Sequence, residues 1–214
     1  MEETHVPPEG EVQPPHSPVG LMFKRHPKAV VQATAISAAT NGTAYIGLTY
    51  MSIHLQRLGY ERAPVYWVTT IVIAISALCM PLGGRLGDRI GLYRLMMLGL
   101  GGYILLTYPM MAVMENGLTV AAIAFLVIMM NTVATQVSAY TLLPLLFDRR
   151  SRFSGVAMGW NLGVILAGGS APYLAVWLIE QTGNSLAPAF FVMGVSIIGL
   201  IALISVRSQL KGPS

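Results

Sequence analysis

Charged residues are scarce in this chain, and their scarcity excludes a soluble domain. Asp, Glu, Lys and Arg make up 10% of the 214 residues, whereas hydrophobic residues make up 54%. The mean hydropathy of the chain is +0.63. Because soluble domains carry about 25% charged residues, this composition indicates an integral membrane protein. The lipid bilayer is therefore an expected partner.

Residues that build reactive centres are also few or poorly placed. Cys79 is the only cysteine, which excludes a disulfide or a thiolate metal cluster within one chain. The sequence has no H-E-x-x-H, no Walker loop and no Ser-His-Asp arrangement in a loop context. We therefore expect no enzyme activity, no cofactor and no metal site. The net charge of +4 comes from basic residues scattered between apolar runs, so nucleic acid is not expected as a partner.

Long uncharged runs dominate what is present. Each of six runs reaches the roughly 20 residues that a helix needs to cross about 30 Å of hydrocarbon. The runs are Ala29 to Gln56, Ala63 to Gly84, Leu95 to Met114, Asn116 to Phe147, Phe153 to Ile179, and Gln181 to Val206. The predicted fold is an all-α membrane protein, a six-transmembrane-helix bundle over residues 29–207. An even number of spans puts both termini on one side.

Loop charge orients this bundle. Eleven Lys and Arg residues lie beside one set of run ends, and only Arg57 and Arg62 lie beside the other. By the positive-inside rule the first side is cytoplasmic, which predicts a multi-pass protein of the cell (inner or plasma) membrane with both termini inside. The Pro-rich and Glu-rich residues 1–28 are expected to form a disordered cytoplasmic leader, and residues 208–214 a cytoplasmic tail.

Polar residues within the runs are the candidates for a substrate cavity. In the first run, Asn41 and Tyr45 belong to a polar stripe with steps of three or four residues, which places the stripe on one helix face. In the fourth run, Gln136 lies among several hydrogen-bonding residues that would be costly against lipid. Trp160 and Asn161 complete the set in the fifth run. For each residue, interhelical packing is the alternative to a cavity role.

Two glycine patterns stand out. Gly155, Gly159 and Gly163 repeat every fourth residue, which predicts a helix face that packs closely against a neighbour. Residues 84–94, GRLGDRIGLYR, form a charged connection between two runs, in which glycines allow a tight turn. We expect Asp88 to accept hydrogen bonds from a neighbouring helix N-terminus, and Arg89 and Arg94 to hold the turn among lipid headgroups. The motif residues are Gly84, Asp88, Arg89, Gly91 and Arg94.

These segments carry a family resemblance. The motif at residues 84–94 is similar to the loop signature of the major facilitator superfamily. MPLGGRLGDRIGLYRL at Met80 to Leu95 and RFSGVAMGWNLGVILAGGSAPYLAVWLIEQTGNSLAPAFFVM at Arg152 to Met193 closely resemble the C-terminal half of the metabolite:proton symporter family, which includes proline/betaine carriers. The resemblance runs from about Phe23 onward. Leu92 and Tyr93 depart from it, because the family's motif usually has basic residues there.

The resemblance implies a half-length secondary transporter. Its six helices would match helices 7 to 12 of a twelve-helix carrier, and the leader would match the end of the central loop. The implied activity is proton-coupled symport of a small polar metabolite, such as a betaine- or proline-like zwitterion or an organic acid. A second six-helix half would be the partner in alternating access. The alternatives are a homodimerising half-transporter and a truncated or split-gene fragment without independent transport.

The proton-coupling group is not expected in this chain. None of the six runs contains Asp, Glu, Lys or Arg, although a proton relay in a membrane normally needs an ionisable side chain. The resemblance implies that the coupling carboxylates belong to the other half. His54 lies near the outer end of the first run, where we expect an interfacial position.

Overall fold

A computed structural model describes residues 27–149 and 151–207, and these residues are almost entirely helical. The predicted tail at 208–214, and the predicted leader up to residue 26, lie outside the described residues. The first helix of the described residues begins at Pro27, two residues before the predicted start of the bundle. Proline suits a helix start because its missing N–H would have no helical partner there.

Six long helical stretches follow one another through short connections. Two of them, α1 and α5, are each interrupted by one π-helical turn. They are α1 (Pro27–Tyr45, π-turn Ile46–Tyr50, Met51–Arg57), α2 (Arg62–Ile90), α3 (Leu92–Val113), α4 (Leu118–Leu142), α5 (Arg152–Gly163, π-turn Val164–Gly168, Ala171–Thr182) and α6 (Ala187–Ser205). Short 3-10 turns extend α3 at Met114–Asn116 and α4 at Leu143–Leu146.

Five of these stretches are long and apolar enough to cross a membrane. They correspond to α2, α3 with its 3-10 turn, α4 with its 3-10 turn, α5 and α6. The prediction of an all-α membrane bundle is thus confirmed in part, with five candidate spans among the described residues. The remaining stretch, α1, covers residues 27–57 and is long enough. Its polar residues, Asn41 among them, lower its hydropathy below that of the other five.

The helices pack in two layers. In the first layer, α4 contacts α2 and α1, and α1 contacts α5, so the order is α2, α4, α1, α5. In the second layer, α3 contacts α6; α3 also packs on α4, and α6 packs on α1. The central helices α1 and α4 are therefore covered on one side by α3 and α6. Their opposite side, between α2 and α5, is the face from which a site can be reached.

Two hydrophobic clusters fill the bundle, one toward each end. The cluster near the α1–α2 and α3–α4 connections is rich in large side chains, such as Tyr50, Tyr103 and Phe125, all fully buried. The cluster near the α2–α3 and α4–α5 connections relies more on small residues, such as Ala33 and Ala39, with Leu100 and Phe147. We call these ends the outer end and the inner end. The inner end carries most of the basic connections.

Candidate functional site

Small residues bring α5 close to the inner half of α1. A side chain at Gly159 would come within 2.6 Å of the Ala33 Cβ, and one at Gly163 would collide with Ser37 and the Ala38 backbone. Gly155 lies instead against Phe147, in the connection after α4. The three glycines with fourfold spacing therefore lie on one buried face of α5. Helix backbones can approach each other this closely only where side chains are minimal.

A short chain of hydrogen bonds crosses the α1–α5 contact. The Asn41 Nδ2 donates to the Ser37 carbonyl at 3.0 Å and to the Ser37 Oγ at 3.1 Å. The Ser37 Oγ donates in turn to the Trp160 carbonyl at 2.9 Å. Asn41 is 5% exposed, so its amide lies in the helix contact and not on an open surface. The hydrogen bond from Ser37 holds the backbone of Trp160 against α1.

The two π-helical turns lie beside this contact. Gly168, at the end of the α5 turn, is placed so that a Cβ would be 3.2 Å from the Asn41 Cβ and 3.4 Å from the Tyr45 ring. Likewise, a Cβ at Gly42 would be 3.1 Å from the Ala167 Cβ. Tyr45 is half-buried over Gly168. π-turns occur often at functional positions of helices, and here the turn of α5 packs against Asn41 and Tyr45, directly before the turn of α1.

On α4, Gln136 and Tyr140 lie one turn apart on the same helix face. Gln136 is 8% exposed, and its Oε1 is buried with no hydrogen-bond partner among the described residues. The Tyr140 ring is 58% exposed. It lies against the Trp160 indole of α5, with ring centroids 5.1 Å apart and an interplanar angle of 32°. Trp160 thus joins α1 through its backbone and α4 through its ring.

A groove of about 610 Å³ opens beside this aromatic pair. It runs between the inner ends of α4 and α5, and its walls are mainly apolar. Arg149 and Arg152 are the only charged residues among the described ones that line it. The lining residues are Ala139, Tyr140, Leu143, Pro144, Arg149, Arg152, Phe153, Val156, Ala157 and Trp160. None of them belongs to α3 or α6, so the groove lies on the accessible side of the bundle.

The five cavity candidates are therefore only partly brought together. Asn41 and Trp160 are linked through Ser37, and Tyr45 packs beside Asn41 across from α5. Gln136 lies one turn before the ring that touches Trp160. Asn161 is exposed and donates only to the Ala157 carbonyl of its own helix, at 2.7 Å. It does not join the others.

Tyr140 belongs to the same polar group of the fourth run as Gln136 but was not chosen as a cavity candidate. Its position four residues after Gln136 is a helical spacing that places the two on one face. The partner ring on α5 is a tertiary contact that no spacing reveals. The position of His54 in the membrane stays a prediction; its side chain is 1% exposed, inside the bundle, and neither ring nitrogen has a partner among the described residues. His54 lies beside Tyr50, at a ring-centroid distance of 6.0 Å.

The α2–α3 connection differs from the expected multi-residue turn. Residues 84–90 continue α2 as helix, and Gly91 alone reverses the chain, with φ of 92°. Such a φ suits glycine because a Cβ would be strained there. Asp88, Arg89 and Arg94 are exposed at the inner end, and Gly84 is half-buried. Of the glycines in the motif, only Gly91 turns the backbone, because helical hydrogen bonding extends to the end of α2.

Comparison with known proteins gives one family. A family model of the Major Facilitator Superfamily matches residues 30–213. The ectoine/proline transporter of Corynebacterium glutamicum is 29% identical over 213 residues, covering 96% of this chain and 42% of that protein. The proline/betaine transporter of Escherichia coli K12 is 30% identical over 190 residues, covering 87% of this chain and 37% of that protein.

The name of a third relative includes more substrates. The glycine betaine/proline/ectoine/pipecolic acid transporter of Dickeya dadantii is 31% identical over 203 residues, covering 91% of this chain and 40% of that protein. The chain thus spans about two fifths of the length of the curated relatives that it matches. No solved structure matches it significantly.

Proposed function

Because the chain belongs to the Major Facilitator Superfamily, we propose that it forms half of a secondary active transporter for a small zwitterion of the betaine or proline type, moved together with protons. A second six-helix half completes the carrier. The two halves rock against each other around a shared cavity, which opens to each side of the membrane in turn.

The accessible face of α1, α4 and α5 is the observation that carries this proposal. That face presents a groove with an aromatic pair and two Arg residues at its inner end. A zwitterion matches such a surface because it offers one cationic and one anionic group to different parts of it. The names of the relatives, which include ectoine, proline and betaine, agree with this substrate class.

The membrane arrangement belongs to the same proposal. With α1 counted as a span, six helices cross the bilayer, and both termini lie in the cytoplasm of the cell membrane. Asp88, Arg89 and Arg94 then project at the cytoplasmic end of α2 and α3. Together with Gly84 and Gly91 they form a gating element that contacts the second half in one of the two conformations. Gly155, Gly159 and Gly163 keep α5 and its neighbours together as one rigid body.

Proton coupling in this proposal depends on the second half. The spans of this chain hold no Asp or Glu away from their ends. A carboxylate from the partner, placed at the shared cavity, supplies the group whose protonation accompanies the substrate. The chain alone therefore lacks a complete transport site, whether its partner is a different half or a second copy.

Reconstitution into proteoliposomes tests the proposal. The chain is inserted alone, at one copy per vesicle, or together with the remaining part of the E. coli proline/betaine transporter, and uptake of labelled betaine and proline is measured with and without a pH gradient. We expect gradient-dependent uptake only with the partner half, or with two copies if the chain pairs with itself. Coupled uptake by single copies contradicts the half-carrier proposal, and no uptake in any combination favours a fragment without transport.

The gating role has its own matched comparison. Asp88→Asn removes a carboxylate at the inner end of α2, and Glu115→Gln removes an exposed carboxylate at the outer end. We expect Asp88→Asn to slow uptake by the assembled carrier without lowering the amount of inserted protein, because an end-of-helix carboxylate is cheap to place. Glu115→Gln should leave uptake unchanged. Equal effects of both changes would remove Asp88 from the gate.

A further inference from the structure

We infer that the Tyr140–Trp160 pair is a subsite for the methylated ammonium group of a dipolar substrate, and that the substrate's carboxylate points toward Arg149 and Arg152 at the inner end of the groove. This inference rests on the proposed function and names the substrate class of the same face. It assigns to two aromatic rings the discrimination between methylated and unmethylated zwitterions.

The rings have the character that such a group requires. A quaternary ammonium cannot donate a hydrogen bond, so it is held by the negative faces of aromatic rings, best by Trp. Tyr140 and Trp160 are tilted by 32° with centroids 5.1 Å apart, so they present a shared, angled edge and not a closed stack. Tyr140 is 58% exposed and the groove beside both rings is open. An onium group can reach these ring faces from the groove.

The Trp160 ring stands on a rigid base. Its carbonyl accepts the Ser37 hydroxyl at 2.9 Å, and the preceding residue, Gly159, is held against Ala33. The helix that carries the indole therefore cannot slide along α1 without breaking a hydrogen bond and a close contact. Fixed rings bind a cation more tightly than mobile ones, because less conformational entropy is lost on binding.

The charges of the groove select a dipolar occupant. Among the described lining residues there is no carboxylate, and both charged ones are Arg. A simple cation would be repelled by these guanidinium groups, and a simple anion would leave the ring faces unused. A zwitterion with its ammonium group at the rings turns its carboxylate toward the inner end, where the positive charges of Arg149 and Arg152 attract it.

An isosteric pair of ligands tests this directly. Glycine betaine and 3,3-dimethylbutanoate have the same shape and carboxylate, but the second replaces the ammonium nitrogen with carbon. Binding of both to the purified chain in lipid nanodiscs is measured by equilibrium dialysis. We expect betaine to bind about tenfold more tightly than its carbon analogue. Trp160→Leu and Tyr140→Leu should reduce that preference to about twofold or less, while Tyr140→Phe should largely keep it.

Two controls separate a ring effect from a folding effect. Trp177→Leu removes a partly exposed Trp from the outer half of the same helix and should leave the preference unchanged. In a Trp67→Phe, Trp177→Phe background, where Trp160 is the remaining Trp, incorporation of mono- to tetrafluorinated tryptophan should weaken betaine binding stepwise. Binding of the carbon analogue should not change, because fluorine alters the ring's charge and hardly its shape.

The outcomes distinguish this inference from the proposed function. If ring fluorination and both Leu substitutions leave the affinity for betaine unchanged, the subsite is overturned, even if the assembled carrier transports zwitterions. No measurable betaine binding by the unchanged chain also overturns it. A charge-dependent preference that the Leu substitutions abolish supports the subsite, even if reconstitution shows no proton-coupled uptake and the proposed function fails.

Discussion

The inner and outer halves of α1 differ in the burial and hydrogen bonding of their polar residues. In the inner half, Ser37 and Asn41 are buried and hydrogen-bonded within the contact to α5. In the outer half, Thr49 is exposed, whereas Tyr50 and His54 are buried without partners among the described residues. The π-turn Ile46–Tyr50 lies between the halves. Its wider turn shifts the register, so one polar stripe does not keep to one side of the helix.

The two ends of the bundle are consequently held together by different means. The inner end relies on minimal side chains that allow helix backbones to meet, as at Gly163 and Ser37. The outer end relies on large buried rings, among them Tyr50, Tyr103 and Phe125. The accessible aromatic pair, Tyr140 and Trp160, is found toward the inner end, beside the groove between α4 and α5.

The largest expected effect concerns the two ends themselves. In a Cys79→Ser background, Ser151→Cys lies at the inner end and Asn116→Cys at the outer end. We expect all-or-none labelling by a membrane-impermeant maleimide from opposite sides, with Ser151→Cys reacting from the cytoplasm, because the inner end carries most basic residues. Labelling in intact cells and in inverted vesicles measures this. Same-side labelling would disprove the proposed six-span topology.

The next effect tests the close contact at the inner end. Gly163→Ala places a methyl group against Ser37 and the Ala38 backbone. Such overpacking should lower the unfolding free energy by about 1–3 kcal/mol, measured by reversible unfolding in mixed micelles. Gly194→Ala is the matched control, since nothing lies within 4 Å of a Cβ at that exposed helical position. If the two variants have equal stability, α1 and α5 are not packed as described.

A matched pair of tyrosines tests the outer core. Tyr103 and Tyr50 are both fully buried, but only the Tyr103 hydroxyl has a partner among the described residues, namely the Thr132 Oγ1. Tyr103→Phe should cost about 1 kcal/mol of unfolding free energy, whereas Tyr50→Phe should be neutral or stabilising. The same unfolding assay measures both. A loss for Tyr50→Phe as large as that for Tyr103→Phe would mean that the Tyr50 hydroxyl is hydrogen-bonded after all.

The smallest effect concerns the surface of the outer end. The Tyr60 hydroxyl donates to the Met114 carbonyl at 2.7 Å and accepts from the Gly117 N–H at 2.9 Å, which ties the α1–α2 connection to the α3–α4 connection. Because water can replace part of this contact, Tyr60→Phe should cost only about 0.5–1 kcal/mol. Tyr66→Phe, at an exposed ring nearby in sequence, should cost less. A Tyr60→Phe variant as stable as Tyr66→Phe would show that the connection is not held by this hydroxyl.

Several features of the fold could be read from residue patterns. The uncharged runs predicted the positions of five helices that can cross a membrane. They could do so because each charged side chain placed in hydrocarbon raises the free energy of insertion separately. The fourfold spacing of Gly159 and Gly163 grouped them on one face, and the structure places that face on α1. The extent of helix was misjudged at residues 84–90. Charged and glycine residues there suggested a turn, but helical hydrogen bonding continues until Gly91.

The candidate site was less accessible to such reasoning. Asn41, Tyr45, Gln136, Trp160 and Asn161 were chosen for polarity inside apolar runs, and their cavity roles stay predictions. Polarity does not tell which neighbour a side chain meets. Asn161 is exposed and bonds only within its own helix, and Tyr140, which was not chosen, contacts Trp160. Ring contacts between separate helices depend on the rotation of both helices, and that rotation is a property of the whole bundle.

By itself the sequence determined the membrane class, the approximate positions of the helices and the family, because hydrocarbon thickness, charge cost and motif identity act over short stretches of chain. Only the tertiary structure decided which parts of α1 are buried, that His54 lies inside, and that Tyr140 and Trp160 share a groove. These features depend on the helix register around the two π-turns and on the layer order α2, α4, α1, α5. Both arise when the packing of all six helices is optimised together, so no single segment contains them.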